Sequence, residues 1–109
     1  MNAAGMIFAL SGVSGVLGMP FYQSLVTDGS VSQNELDGTR HNLSAVIVTL
    51  KNTSLEKIEA LVSQYDEQLT AHLEKFQFVG QRDLLEGFRH AQVMAGYVTT
   101  IMAKAGLKG

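Results

Sequence analysis

The pattern of apolar and polar positions predicts helices along most of this chain of 109 residues. Apolar side chains recur at steps of three and four, which places them on one face of an α-helix. The clearest case is the apolar seam formed by Leu55, Ile58, Val62, Tyr65, Leu69, His72 or Leu73, and Phe76. Charged residues occupy the opposite side, so this segment is predicted to pack through one face and to expose the other to solvent.

Capping signals predict where two of the helices begin. Ser32 and Glu35 have the spacing of a capping box, in which the serine hydroxyl and the glutamate carboxylate satisfy free amides of the first turn. Thr53 and Glu56 repeat that spacing. The β-branched run at residues 46–49 is also typical of a strand, but the helical spacing and the lack of a second strand to pair with favour a helix.

Glycines and charges predict the last helix and the turn before it. Gly80 suits the left-handed position that ends a helix, and Gly106 ends the last one. Asp83 and Glu86 in its first turns and Lys104 in its last turn match the helix macrodipole. A connection this short predicts an antiparallel hairpin.

The expected fold class is therefore all-α. We predict one domain over residues 1–109, a small helical bundle with an antiparallel C-terminal helical hairpin and an apolar N-terminal helix. Its predicted elements are the apolar segment 1–27, a helix over 32–51, and the hairpin helices 54–77 and 81–105.

The apolar segment has no charged residue before Asp28. Its length resembles that of a signal sequence or a membrane span, but no Lys or Arg precedes it and no clear cleavage site follows it. Glycines and serines dilute it, and Pro20 interrupts it. Burying its apolar side chains would only about offset the backbone entropy lost on ordering them. We expect the segment to be buried in the bundle, in a neighbouring subunit or in lipid. The protein is expected to be either cytoplasmic or membrane-associated.

Small residues mark two candidate helix-packing faces. Glycines and serines recur in the first segment, and small residues recur every fourth position in the last helix. The predicted interface residues are Gly12, Gly15, Gly18, Gly87, Ala91 and Ala95. Such faces permit close backbone approach, within one chain or between chains, although a tight core uses the same residues. Three uncharged stretches also stand out, at residues 1–27, 42–50 and 91–103, and the last two are predicted to meet at one pole of the bundle.

Composition narrows the function classes. Charged residues make up 17% of the chain, against a typical ~25%, which indicates that much of the surface meets something other than water. The net charge is −2, and the Lys and Arg residues are scattered singly, so nucleic-acid binding is not expected. The chain has no cysteine, which excludes a disulfide scaffold, a thiolate zinc site and a cysteine nucleophile.

Candidate chemistry is sparse. His41 on a predicted helix suits a phosphotransfer protein in principle, but an ordinary partly exposed histidine is favoured. His72 and His90 lie on the hairpin without the three or four converging ligands that a metal site needs. We therefore expect no enzyme activity, no metal, no cofactor and no small-molecule substrate.

The favoured function is that of a non-enzymatic interaction protein that forms a homo-oligomer or binds a protein partner. A small structural subunit of a filament, secretion or virion assembly would fit. The alternative is a small membrane-inserting or membrane-anchored protein that uses the apolar N-terminal helix.

Overall fold

The computed structural model describes residues 1–80 and 82–107, which fold into an elongated bundle measuring 43 × 25 × 19 Å. The helices are α1 (Ala3–Leu17), α2 (Ser24–Thr27), α3 (Gln33–Lys51), α4 (Leu55–Gly80) and α5 (Leu84–Lys104), with a 3-10 helix at Pro20–Gln23. No strand occurs within the described residues. The all-α prediction is confirmed, including the helical assignment of residues 46–49.

The four longer helices pack in the cyclic order α1, α3, α5, α4. Helices α1 and α5 therefore lie diagonally opposite, and so do α3 and α4. The predicted hairpin is confirmed as the packed pair of α4 and α5. Side chains early in α3 bond to side chains early in α5, such as Thr39 to Gln92, so these two helices run in the same direction.

The apolar seam of α4 is buried at most of its predicted positions. Ile58, Val62 and Leu69 are each at most 2% exposed, and they pack in the common core with the other helices. Leu55 departs from the prediction and is 63% exposed, because it is the first residue of α4, at the end of the bundle. Leu61, which was not part of the predicted seam, is buried.

One of the two predicted capping boxes is placed correctly. The hydroxyl of Ser32 accepts a hydrogen bond of 3.1 Å from the amide of Glu35, so α3 begins where predicted. The prediction for Thr53 was wrong. Its hydroxyl donates to the carbonyl oxygen of Thr49 at the end of α3, and Ser54 accepts from the amide of Lys57 instead.

The hairpin turn lies later than the sequence predicted. Helix α4 extends to Gly80 as its last residue, so Gly80 does not occupy the position after the helix that the sequence predicted. Helix α5 begins after Asp83, whose carboxylate accepts a hydrogen bond of 3.1 Å from the amide of Glu86. With this cap, α5 begins at residue 84 and not at the predicted residue 81. Gln81 lies outside the described residues, and Gly106 follows α5 with a positive φ of 75°, as predicted.

Helix α4 is kinked at Tyr65, where φ is −121° and ψ is 16°. The ring of Tyr65 lies edge-on to the ring of Tyr97 in α5, with 6.3 Å between the ring centroids. The kink therefore coincides with a contact between the two hairpin helices.

Candidate interaction surface

Helix α1 is apolar on both sides, but the bundle buries only one of them. Its inner residues Met6, Leu10 and Leu17 are at most 1% exposed. The residues that point away from the bundle share small size or apolar character and lack charge. We call this set the α1 outer face; it consists of five residues of α1 and of Met19, which follows the helix: Ala4, Phe8, Gly12, Gly15, Val16 and Met19.

Phe8 is the most prominent member of the α1 outer face, because 81% of it is exposed to solvent. Met19 is 49% exposed and Val16 is 38% exposed. Helices that are apolar all round are normally enclosed on every side. The α1 outer face therefore has the composition of a buried surface in an exposed position.

Two charged side chains from neighbouring helices hold the ends of α1. At its start, the amide of Ala3 donates a hydrogen bond of 2.5 Å to the carboxylate of Glu59 in α4. At its end, Nε of Arg40 in α3 donates a hydrogen bond of 2.7 Å to the carbonyl oxygen of Leu17. A carboxylate at the start and a cation at the end both complement the macrodipole. Helix α1 has no charges of its own, so its neighbours provide this stabilisation.

The structure separates the two predicted small-residue faces. Gly12 and Gly15 are exposed on α1, and Gly18, the C-cap residue that follows it, is also exposed. The other three predicted interface residues, Gly87, Ala91 and Ala95, are buried within the bundle. The two sets therefore do not contact each other within the chain. The small residues of α5 serve internal packing, and those of α1 remain available to a partner.

The second and third uncharged stretches meet, as predicted. A groove of about 260 Å³ lies between α3 and α5 and is free of charged side chains among its lining residues, which include Asn42, Val46, Thr49, Thr99 and Met102. The groove is open and shallow. The uncharged stretches of α3 and α5 therefore line one groove, on the side of α3 that faces α5.

A polar network joins the starts of α3 and α5. Gln92 donates hydrogen bonds to the carboxylate of Glu35 at 3.1 Å and to the hydroxyl of Thr39 at 3.3 Å. Arg89 forms an ion pair with Glu35 and also donates to Gln92. The hydrogen bonds from Gln92 and Arg89 lower the pKa of Glu35. These groups satisfy one another, so the network is a clamp between two helices.

An aromatic cluster surrounds His72 on the hairpin. The ring of His72 lies 4.8 Å from the ring of Tyr97, which also contacts Tyr65. Burial lowers the pKa of His72, and the positive charges of Lys75 and His90 lower it further. Because this environment favours the neutral imidazole, His72 contributes to packing here.

Histidine and carboxylate side chains do not gather elsewhere in the described structure. Within residues 1–80 and 82–107, no group of three or more His, Asp or Glu side chains is placed to hold a metal ion. His41 is exposed on α3.

The sequence pattern did not single out Phe8 as the exposed residue of its segment, and it did not indicate the two charged contacts at the ends of α1. The segment as a whole was expected to be buried in the bundle, in a neighbouring subunit or in lipid. The helical offset of Phe8 from Met6 and Leu10 was the available signal, because it places Phe8 on the far side of a helix whose inner face they define. Arg40 and Glu59 lie far from α1 in sequence, and no local pattern indicates their role.

No protein-family model, curated protein or solved structure matches this chain. Over the described residues, no single helix combines the length and apolar composition needed to cross a membrane. One bent pair does so jointly, namely α1 with Pro20–Thr27, at an angle of 55°.

Proposed function

We propose that this is a non-enzymatic helical interaction protein that works through self-association or a protein partner, such as a small structural subunit of a filament, secretion or virion assembly. The α1 outer face is the observation that supports this proposal. Phe8 is 81% exposed there, on a helix without a single charged residue.

The rigidity of this face also supports the proposal, and exposed apolar patches on monomers are often functional. Helix α1 presents its patch on a fixed frame, because its inner face is buried and both of its ends are held by hydrogen bonds to neighbouring helices. A preorganised face loses little conformational entropy when it binds.

A membrane role is the alternative, and the bent pair of α1 and Pro20–Thr27 is the observation that favours it. The burial of Met6 and Leu10 in the bundle core argues against full insertion, since α1 would have to leave the core to enter lipid. Residues 18–27, which follow α1, also lack the lysines and arginines that usually fix a helix at a membrane surface.

The test is the native mass in solution, measured by sedimentation velocity over a concentration series, with and without mild detergent. Phe8→Gln removes the most exposed apolar side chain of the face. Phe78→Gln is the matched control, because Phe78 is 61% exposed on α4. We expect the wild type and the control to form a defined oligomer without detergent, and Phe8→Gln to shift towards the monomer.

Two results would oppose the proposal. A wild-type protein that stays monomeric at every concentration would contradict self-association. Co-sedimentation with neutral phosphatidylcholine vesicles that is lost in Phe8→Gln but kept in Phe78→Gln would favour the membrane alternative.

A further inference from the structure

We propose that the α1 outer face binds a second copy of this chain, with the two α1 helices antiparallel about a two-fold axis at Gly12. This inference rests on the proposed function and specifies the partner and the geometry of contact. A two-fold interface uses the same patch on both copies, so the patch must be complementary to itself.

The α1 outer face carries both a projection and a hollow. Phe8 projects from it, and one turn later the backbone is bare at Gly12 and then at Gly15. A Cβ atom added at either glycine would meet no described atom within 4 Å, so the hollow is open to solvent. In the antiparallel arrangement, residue 8 of one copy lies level with residue 16 of the other. Phe8 of each copy then packs over the hollow of its partner, beside Val16.

Charge favours the antiparallel direction. The start of α1 lies beside the carboxylates of Glu59 and Asp66 and the N-terminal ammonium of Met1, which together carry a net negative charge. Its end lies beside the guanidinium of Arg40, which is 3.9 Å from the carboxylate of Asp37. An antiparallel pair places the Glu59 end of one copy next to the Arg40 end of the other. A parallel pair would bring like charges to the same end. The two helix macrodipoles also oppose each other only in the antiparallel pair.

The available area fits a weak but specific dimer. Helix α1 is about 22 Å long at 1.5 Å per residue over its 15 residues. A contact along this helix covers roughly several hundred Å² per copy, which is below the about 600 Å² per partner of the smaller specific interfaces. An interface of this size is typical of a weak, reversible dimer, so a dilution series should resolve monomer and dimer.

Single cysteines test the geometry cleanly, because the chain has no cysteine of its own. Gly12→Cys places a thiol at the two-fold axis, where Gly12 of one copy faces Gly12 of the other. Ala4→Cys lies about 24 Å from its counterpart in the antiparallel pair, at 1.5 Å per residue over eight residues on each side. That separation is far beyond the reach of a disulfide. Gly38→Cys, at an open and exposed position of α3, reports random collision.

We expect Gly12→Cys to form a cross-linked dimer under mild oxidation, and Ala4→Cys and Gly38→Cys to remain uncross-linked. Cross-linking of Ala4→Cys as fast as Gly12→Cys would indicate parallel helices and overturn the geometry. A dimeric wild type in which neither α1 variant cross-links, and in which Gly15→Leu leaves the dissociation constant unchanged, would overturn the choice of face. A monomeric wild type would instead contradict the proposed self-association, so the two failures are distinguishable.

A second variant covers the case in which the thiols meet at an unfavourable angle. Gly15→Leu fills the hollow on the exposed side of α1, and Gly38→Leu is its control on α3. We expect Gly15→Leu to raise the dissociation constant at least ten-fold and Gly38→Leu to leave it unchanged. Equal dissociation constants for Gly15→Leu and the wild type would refute the packing of Phe8 into this hollow.

Discussion

Arg40 in α3 holds the end of α1 through a hydrogen bond of 2.7 Å from its Nε to the carbonyl oxygen of Leu17. That oxygen belongs to the last turn of α1, where carbonyl groups have no partner within the helix. The contact joins residues that are 23 positions apart. It fixes the position of α1 on the bundle, and with it the orientation of the α1 outer face.

We predict that Arg40→Met lowers the free energy of unfolding by about 1.5 kcal/mol, because a charged hydrogen bond to a backbone carbonyl is lost while the side-chain volume is kept. Urea denaturation measures the change. Hydrogen exchange should show faster exchange in α1 than in α5. Arg82→Met is the control, since the Arg82 guanidinium lies over the exposed ring of Phe78 and should contribute much less. Equal losses in the two variants would contradict the role given to Arg40.

Ala95→Leu should destabilise the fold itself. Ala95 is 3% exposed and packs in the core, so the added carbons force neighbouring groups apart at a cost of about 1–3 kcal/mol. The adjacent Gly96 is exposed, with no described atom near an added Cβ, and Gly96→Ala should instead stabilise α5 by up to about 1 kcal/mol. Thermal unfolding of both variants measures these effects. An Ala95→Leu protein that melts like the wild type would show that this side of α5 is not closely packed.

His72 should make the fold sensitive to mild acid. Its pKa is lowered in the folded protein from the ordinary value of 6.5, mainly by burial. The unfolded chain therefore binds the proton at a higher pH than the folded chain does. The resulting stability is fully present above pH 6.5 and is lost as the pH falls towards the lower, folded pKa.

The measurement for His72 is the free energy of unfolding in urea at pH 7.5 and at pH 5. His72→Phe keeps an aromatic ring beside Tyr97 but cannot take up a proton. We expect this variant to lose less stability between the two pH values than the wild type does. The same loss in both proteins would assign the acid sensitivity to other groups.

Substitution by alanine should lower the free energy of unfolding at Gly29 and raise it at Gly38. Gly29 lies between α2 and α3 with a positive φ of 83°, which costs an alanine roughly 1–2 kcal/mol. Gly38 lies on the exposed side of α3 in open space, so alanine there should stabilise the helix by about 0.5–1 kcal/mol. Chemical denaturation of the two variants gives both signs. Two changes of the same sign would contradict the backbone conformation at Gly29.

Local patterns in the sequence were enough to predict most of the fold. The periodicity of residues 58–76 defined the buried side of α4, and the spacing of Ser32 and Glu35 defined the start of α3. The predictions that failed involve competition between neighbouring polar groups. Both Thr53 and Ser54 are able to cap α4, and the choice falls on Ser54 because the Thr53 hydroxyl bonds to the carbonyl oxygen of Thr49 at the end of α3.

The sequence predicted the candidate surface less completely than it predicted the fold. Glycine and alanine spacing is identical in a core and in an interface, so Ala91 and Gly12 looked equivalent. Their difference depends on which helices are neighbours in the bundle. That arrangement is set by contacts such as Arg40 to Leu17 and Ala3 to Glu59, which join distant parts of the chain.

The inner and outer sides of α1 belong to one rigid rod, and this links quaternary structure to folding. A second copy that binds at Phe8 also restrains helix α1, whose residues Met6 and Leu10 are buried in the core. Binding to the folded chain alone raises its apparent stability by mass action. The melting temperature should therefore rise with protein concentration, and dilution should loosen α1 first.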